Sequence, residues 1–297
     1  MYDEFTELDT WTGPEGVGVL AMHKRFDLSN KVALVVGGRG FLGRRFSAGL
    51  AEFDAHVYAA DLPAPSLAVA RDPSILSSAG IQQRSVDVTD SESVRMLVDG
   101  VTKETSRIDV LVYCATTALP DHYMPFTECS LEGWQKLMHV ELDGVFLVAQ
   151  QVGRVMESQR NGSIILLASI YGIVGNDQRI YEGANLAELY AGFGNAPPKR
   201  IFGYAGYAAA KGAVISLTRY LAAYWGEQGI RVNCISPGGV AHPKENDEFV
   251  RRYSQRVPLG RKAGLDDITG AVVYLASDAS SYVTGHNLVV DGGWTAW

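Results

Sequence analysis

Short runs of apolar residues alternate along the chain with longer segments in which apolar residues recur every three or four positions. Uninterrupted apolar runs of this length are typical of strands buried on both faces of a parallel sheet. The longer segments, such as 91–105 and 213–229, have the period of amphipathic helices. Repeated strand–helix–strand units predict an α/β fold: a doubly wound parallel sheet of about seven strands with helices on both faces. The predicted strands lie at 31–38, 55–61, 82–88, 108–115, 162–169, 230–238 and 287–293.

The sequence contains no internal repeat and no linker rich in proline, glycine or serine. We therefore expect a single domain over residues 29–297, preceded by an N-terminal arm of residues 1–28 that shows no clear period. Residues 175–203 interrupt the alternation of strands and helices. A connection of this length in a compact domain is usually a lid or a binding loop, so we expect a functional insertion there.

Composition and charge exclude several classes of function. The net charge of −7 argues against a nucleic-acid partner, because affinity for phosphate backbones requires a basic surface. No apolar run approaches the roughly 20 residues that span a bilayer, and the acidic N-terminus lacks the layout of a signal peptide. The three cysteines lie far apart and have no metal-ligand spacing. We expect a cytoplasmic protein without metal that acts on a small molecule.

A glycine-rich run follows the first predicted strand. Gly37, Gly40 and Gly43 are spaced three apart in VVGGRGFLGRRF, between an apolar strand and a helix. Glycines in this context let the backbone approach a pyrophosphate, whose charge then lies at the helix N-terminus. The local pattern leaves two interpretations open: a dinucleotide site, or a tight strand-to-helix turn that binds no dinucleotide.

Two carboxylates follow later strands. Asp61 ends the second strand, 18 residues after Gly43, where a carboxylate accepts hydrogen bonds from ribose hydroxyls and repels a 2′-phosphate. This position favours NAD over NADP, although Arg44 and Arg45 could pair with a phosphate. Asp87 follows the third strand, where it could bond an adenine amino group or cap the next helix.

A second motif, YAAAKGAV, places Tyr207 and Lys211 four residues apart, on one face of a helix. A free tyrosine has a pKa near ~10, and a neighbouring ammonium group lowers that pKa by favouring the phenolate. Tyr207 could then exchange a proton with an alcohol or carbonyl. Ser169 ends the fifth predicted strand, where its hydroxyl could orient the reacting oxygen. The alternative is an ordinary helix face without catalytic function.

Taken together and in this order, the motifs resemble those of the short-chain dehydrogenase/reductase family. The resemblance extends over about residues 27–294 and is carried by VVGGRGFLG, SVDVTD, GSIILLASIYG, YAAAKGAVISLTRYLA, GIRVNCISPGGV and DDITGAVVYLASDASSYVTGHNLVVDGGW. It implies a Rossmann-like sheet, NAD(P)-dependent hydride transfer at a hydroxyl or carbonyl group, and assembly as a homotetramer or homodimer. The apolar, aromatic segment 282–297 also favours a subunit interface.

The resemblance assigns roles to individual positions. Tyr207 matches the catalytic acid–base, Lys211 its helper, and Ser169 the residue that orients the substrate oxygen. The residues matched to the cofactor site are Gly37, Gly40, Phe41, Leu42, Gly43, Asp61, Asp87, Val88, Ala115, Tyr207, Lys211, Pro237, Gly238 and Val240.

Four features depart from the family pattern. Phe41 occupies the middle position of the glycine motif, and the resulting spacing resembles the extended branch of nucleotide-sugar epimerases and dehydratases. The C-terminal segment is instead typical of the compact branch. Residues 113–116 read YCAT where compact members have Asn-Asn-Ala-Gly. Glu141 replaces an asparagine that in the family helps hold a proton-relaying water, and it adds a negative charge near Lys211. His242 replaces a threonine, and we expect it to be an exposed loop residue.

The insertion at 175–203 separates the two catalytic motifs, where the family lines its substrate pocket, and 241–261 should form the other wall. Groups of both charges suit a sugar, sugar phosphate or sugar acid. Residues 169–183 also resemble, in part, dehydrogenases of nonulosonic-acid pathways. We expect the basic residues of the other wall to form a solvated helix face. The polar candidates in the insertion are Asp177, Arg179, Tyr181, Glu182, Lys199 and Arg200.

Three functions follow from these features. The first is an NAD(P)-dependent oxidoreductase of sugar metabolism that acts on a polyhydroxylated substrate. The second is a nucleotide-sugar epimerase or dehydratase with internal NAD cycling; the glycine spacing favours it, and the missing C-terminal substrate domain argues against it. The third is a non-catalytic NAD-binding protein, suggested by Glu141 and opposed by the complete set of Ser169, Tyr207 and Lys211.

Overall fold

The computed structural model describes residues 22–63, 76–77, 79–117, 119–186 and 200–297. Most of the predicted N-terminal arm lies outside the described residues, as does the part of the insertion at 187–199. The described end of the arm, Met22–Phe26, is a short 3-10 helix. Its Phe26 ring lies 6.5 Å from the ring of Tyr274.

Seven parallel strands form one sheet with the order β3-β2-β1-β4-β5-β6-β7. Each coincides with a predicted strand, so the predicted α/β class is confirmed. The strand order reverses between β1 and β4, and this reversal opens a crevice at the carboxyl edge of the sheet. The strands are β1 (Val32–Val36), β2 (His56–Asp61), β3 (Gln82–Ser85), β4 (Val110–Tyr113), β5 (Gly162–Leu167), β6 (Ile230–Pro237) and β7 (Asn287–Val290).

Helices cover both faces of the sheet. The α-helices of the described residues are α1 (Gly43–Glu52), α2 (Ser91–Thr105), α3 (Leu131–Met138), α4 (Gly144–Gln159), α5 (Ala205–Trp225), α6 (Asp247–Ser254) and α7 (Leu265–Ala276). A π-helical segment, His139–Asp143, joins α3 to α4. No helix in the described part of the chain is both long and apolar enough to cross a membrane.

Helix α2 shows how the local sequence sets these elements. Its apolar side chains recur with the helical period, so that one face is buried. The carboxylate of Asp90 accepts a hydrogen bond from the Glu92 amide and begins the helix, and Ser106 ends it in the left-handed region at φ 60°. The buried residues are Val94, Leu97, Val98 and Val101.

The main core consists of two apolar layers, one on each face of the sheet. Successive side chains of a strand point to opposite faces. In β4, Leu111 and Tyr113 pack in one layer, whereas Val110 and Val112 pack in the other. Every residue of β4 is buried, which explains its uninterrupted apolar run.

A third apolar cluster lies beside the sheet and joins the insertion to α6. Ile180, Tyr181 and Leu186 from the insertion pack with Phe249 and Tyr253 from α6. The described part of the insertion therefore has a buried core that it shares with α6.

Candidate active site

The carboxyl edge of the sheet carries a cleft of about 440 Å³ at the reversal between β1 and β4. All the residues matched to catalytic or cofactor roles line this one cleft, although their segments are distant in sequence. They are Gly37, Gly40, Phe41, Leu42, Gly43, Asp61, Asp87, Val88, Ala115, Ser169, Tyr207, Lys211, Pro237, Gly238 and Val240.

The glycine loop crosses the cleft between β1 and α1. Gly37 has φ +83°, and a Cβ atom at this position would lie 2.5 Å from the amide nitrogen of Ala115. A Cβ on Gly43 would lie 2.0 Å from the carbonyl oxygen of Gly37. These approaches require glycine. Together with the N-terminus of α1, which starts at Gly43, the loop forms a cradle that fits the diphosphate of a dinucleotide.

Asp61 lies at the end of β2, with its carboxylate fixed at the rim of the cleft. One oxygen accepts a hydrogen bond from the amide of Leu62 at 2.9 Å, and the other accepts from the amide of Arg39 at 3.1 Å. The guanidinium of Arg39 donates to the backbone oxygen of Asp61 at 3.2 Å and to that of Leu62. The sequence reasoning missed Arg39.

The two arginines after the glycine motif, Arg44 and Arg45, contact residues other than Asp61. Arg45 pairs with Glu52 at 2.8 Å and with Asp266 at 2.5 Å, on the outer side of α1. Arg44 lies over the ring of Phe41, 5.7 Å from its centre.

Asp87 forms a local turn at the cleft wall. Its carboxylate accepts hydrogen bonds from the amide of Thr89 at 2.9 Å and from the hydroxyl of Thr89 at 2.7 Å. The cap of α2 is Asp90, so the alternative that Asp87 caps this helix is wrong.

Ser169, Tyr207 and Lys211 converge at the inner end of the cleft. Ser169 follows β5 and is buried, while Tyr207 and Lys211 lie one turn apart on α5. The ammonium nitrogen of Lys211 is 5.3 Å from the centre of the Tyr207 ring. It also donates a hydrogen bond to the carbonyl oxygen of Leu167 at 2.7 Å, which fixes it beside β5.

Glu141 completes this end of the site. It lies in the π-helical segment and is completely buried. Its Oε2 is 2.7 Å from the Nζ of Lys211, and its Oε1 accepts a hydrogen bond from the hydroxyl of Thr116. The sequence predicted a negative charge near Lys211, and the structure shows a direct ion pair.

Burial of Tyr207 raises the pKa of its phenol, because the surroundings disfavour the phenolate. The charge of Lys211 and a hydrogen bond with Ser169 lower that pKa, whereas Glu141 raises it. Burial alone would lower the pKa of Lys211, but the carboxylate of Glu141 together with Tyr207 and Cys114 outweighs this effect, and the pKa of the lysine is raised. Lys211 is therefore a cation at neutral pH.

His242 differs from its prediction as an exposed loop residue. It is half-buried, and its ring centre lies 5.0 Å from that of Phe41, which lines the cleft. Burial lowers its pKa below the usual range. Phe41 is the residue at the unusual middle position of the glycine motif, so two departures from the family pattern contact each other.

The charged residues around the insertion pair mainly with one another. Asp177 is 2.8 Å from Arg179 and 3.0 Å from Arg256. Arg252 pairs with Glu248 at 2.6 Å, and its guanidinium also donates to the backbone oxygen of Glu182 at 2.9 Å. These pairs stabilise the contact between the insertion and α6. Lys199, a predicted substrate-binding candidate, lies outside the described residues.

Comparison with known proteins identifies the family. The family described as short chain dehydrogenase matches residues 31–184, and the one described as Enoyl-(Acyl carrier protein) reductase matches residues 198–295. The chain is 33% identical to D-threitol dehydrogenase from Mycolicibacterium smegmatis over 275 residues, which is 91% of this chain and 95% of that protein.

Solved structures show the same architecture. A short-chain dehydrogenase from Leptospira borgpetersenii with bound NAD+ superposes with a TM-score of 0.75 at 29% identity, covering 91% of this chain and 95% of the other. A gluconate 5-dehydrogenase from Burkholderia cenocepacia in complex with NADP and tartrate gives 0.76 at 30% identity, covering 92% and 98%.

The fold and the cleft define a dinucleotide-binding α/β enzyme. The chain belongs to the short-chain dehydrogenase/reductase family and is an NAD(P)-dependent oxidoreductase that acts on CH–OH groups.

Proposed function

We propose that this protein is an NAD-dependent dehydrogenase that interconverts an alcohol and a carbonyl in a small polyhydroxylated substrate, with Tyr207 as the acid–base group. The observation that carries the proposal is the convergence of Ser169, Tyr207 and Lys211 at the inner end of a cleft whose outer end is a glycine cradle. Proton exchange at Tyr207 and dinucleotide binding then take place in one continuous space.

In the direction of oxidation, the hydroxyl of Ser169 holds the substrate oxygen beside the phenol oxygen of Tyr207. The phenolate accepts the proton of the substrate hydroxyl while a hydride leaves the carbon that bears this hydroxyl. The product is the carbonyl compound. The nicotinamide ring, when bound, supplies the hydride acceptor. Lys211 lowers the pKa of Tyr207 and presents a donor for the nicotinamide ribose. In the reverse direction the neutral phenol returns the proton.

Two arguments support a polyhydroxylated substrate. Thr117 lines the cleft and offers a hydroxyl that can both donate and accept hydrogen bonds. The D-threitol dehydrogenase and the gluconate 5-dehydrogenase to which the chain is similar are named for polyhydroxylated compounds. Since Asp177 of the insertion already pairs with Arg179 and Arg256, we favour a neutral sugar or polyol over a sugar phosphate.

The proposal is tested by following NADH formation from NAD with separate pools of polyols, neutral sugars, sugar acids, sugar phosphates and nucleotide sugars. We expect activity with polyols or neutral sugars. Turnover of a nucleotide sugar without net NADH formation would instead support the epimerase alternative. Binding of NAD without turnover of any pool would support the non-catalytic alternative.

Cofactor preference provides a separate prediction at Asp61. Replacing Asp61 with Asn removes the charge that binds the ribose hydroxyls and repels a 2′-phosphate. Because a hydrogen bond to a charged group contributes about 1.5–3 kcal/mol, we expect the ratio of kcat/KM for NAD to that for NADP to fall about tenfold or more. The measurement is steady-state kinetics with each cofactor.

Asp54→Asn is the matched control, since Asp54 is exposed and precedes the same strand. Its backbone lies in the left-handed region, at φ 70°, which asparagine also adopts readily. The control should keep the cofactor ratio of the unmodified protein. An unchanged ratio in Asp61→Asn would contradict the proposed preference for NAD.

A further inference from the structure

Thr116, Glu141 and Lys211 form a chain of contacts behind the catalytic tyrosine. A buried carboxylate is costly unless charge or hydrogen bonds compensate it. Glu141 is fully buried, and each of its oxygens has a different neighbour: Thr116 donates to Oε1, and the ammonium of Lys211 lies 2.7 Å from Oε2. The three residues come from the loop after β4, the π-helical segment and α5, so the contact depends on the tertiary fold.

The π-helical segment is held in place from β4. The hydroxyl of Tyr113 donates to the carbonyl oxygen of Val140 at 2.5 Å. Gly144 leaves the space for that hydroxyl, because a Cβ there would lie 2.4 Å from it. The residue before Glu141 is thus fixed to the central sheet. This support gives the carboxylate a defined position, as expected for a π-helical turn at a functional site.

The ammonium group of Lys211 has three N–H donors. The carbonyl oxygen of Leu167 accepts one at 2.7 Å, and the carboxylate of Glu141 lies 2.7 Å away. The remaining donor is left for the cleft, which Lys211 lines together with Tyr207. A direct contact of 2.7 Å between Glu141 and Lys211 leaves no room for a water molecule between the two groups.

We propose that Thr116 and Glu141 are positioning residues that hold the ammonium of Lys211 by direct contact and offset part of the charge it presents to Tyr207. This inference rests on the proposed function, because it assigns the two residues to the same proton-exchange site. Neither residue touches the reacting atoms in the proposed reaction.

The charges around Tyr207 give this arrangement a measurable consequence. Lys211 lowers the pKa of the Tyr207 phenol, and Glu141 raises it. The carboxylate of Asp61 also lines the cleft, and it raises the pKa of the Cys114 thiol. Removing the charge of Glu141 should therefore lower the pKa of Tyr207. The other titratable groups around the pair have pKa values raised by burial and are neutral in the working range; they are Tyr113, Cys114, Tyr171 and Tyr181.

The test compares the unmodified protein with Glu141→Gln, which keeps the shape and removes the charge. We expect the acidic limb of the kcat/KM profile for alcohol oxidation to move to lower pH by about one unit, a tenfold change in proton affinity. Ultraviolet titration of the phenolate, taken as the difference from the matching protein with Tyr207→Phe, should show the same shift without cofactor. An unchanged midpoint, or a shift to higher pH, would overturn the inference.

Glu132→Gln is the charge-matched control, because Glu132 is exposed and pairs with Lys136, four residues on. It should leave both midpoints unchanged. Phenolate titration does not require turnover, so the two proposals can fail separately. If no alcohol is oxidised but Glu141→Gln still lowers the midpoint, the proposed function is wrong and the electrostatic contact is supported.

A second pair of variants keeps the test decisive if Glu141→Gln does not fold. Thr116→Val removes the hydrogen bond to Glu141 at a position that lines the cleft. We expect kcat to fall about fivefold, in the range expected for losing one hydrogen bond, with little change in KM for the alcohol. Thr116→Ser, which keeps the hydroxyl, should restore kcat. Equal kcat values for the valine and serine variants would overturn the role of Thr116.

Discussion

Replacing Tyr207 with Phe should abolish dehydrogenase turnover while leaving the binding of NAD nearly intact. The variant keeps the aromatic ring on α5 and removes only the hydroxyl that exchanges the proton. General acid–base catalysis contributes about 10²–10⁴-fold to a rate. We expect kcat to fall within this range, by about 10³-fold.

The measurements are steady-state NADH formation with the substrate identified from the pools, and calorimetric titration of the protein with NAD. Tyr220→Phe is the matched control, since Tyr220 lies on the same helix and is mostly exposed. The control should retain full turnover. Normal turnover in Tyr207→Phe would remove this residue from the mechanism, and a lost affinity for NAD would show that the substitution had disrupted the site itself.

The sheet was predictable because its signal is local. Each strand of a parallel sheet is buried on both faces, so its apolar run is visible in the sequence without knowledge of its neighbours. The helical period at 91–105 likewise predicted α2 with the bounds that the structure gives. The convergence of the matched residues in one cleft follows from the same principle, since the loops after parallel strands share one edge of the sheet.

The structural features that the sequence did not predict depend on contacts between segments that are distant in sequence. Glu141 was identified as a departure from the family pattern, but the periodicity of 131–159 does not reveal the π-helical segment. Its position results from the bond between Tyr113 and the carbonyl of Val140, which lies 27 residues away. The contact of Thr116 with Glu141 is visible only in the folded structure, where the π-helical segment lies next to Thr116. Thr116 and Glu141 both depart from the family pattern, and the structure places them in direct contact.

The contacts of Arg39 and the ion pairs of the insertion were not predicted, for related reasons. The guanidinium of Arg39 folds back onto the end of β2, a contact that glycine spacing alone does not indicate. In the insertion, charges suggested ligands for a substrate, whereas Asp177 pairs with Arg179 and Arg256. A sequence shows which charges are present, but their partners are known only from the fold.

Substitutions in the glycine loop should have the second large effect, on stability and on the binding of NAD. The test compares Gly43→Ala with Gly40→Ala. Both variants add one methyl group to the same loop. The Cβ on Gly43 would lie 2.0 Å from the backbone oxygen of Gly37, so the loop or α1 must move; on Gly40 the nearest atom is that same oxygen at 3.1 Å, and a small shift suffices. Overpacking of this kind costs about 1–3 kcal/mol. We expect Gly43→Ala to lose about 2 kcal/mol of unfolding free energy.

The same displacement should weaken the binding of NAD by at least about tenfold in Gly43→Ala, because the cradle at the start of α1 no longer has its shape. Gly40→Ala should lose less than about 1 kcal/mol and bind NAD within a few-fold of the unmodified protein. Denaturant unfolding and calorimetric titration with NAD measure the two effects separately. Equal losses of stability in the two variants would show that the close approach of Gly43 to Gly37 does not shape the loop. A stable Gly43→Ala protein with normal NAD affinity would place the diphosphate elsewhere in the cleft.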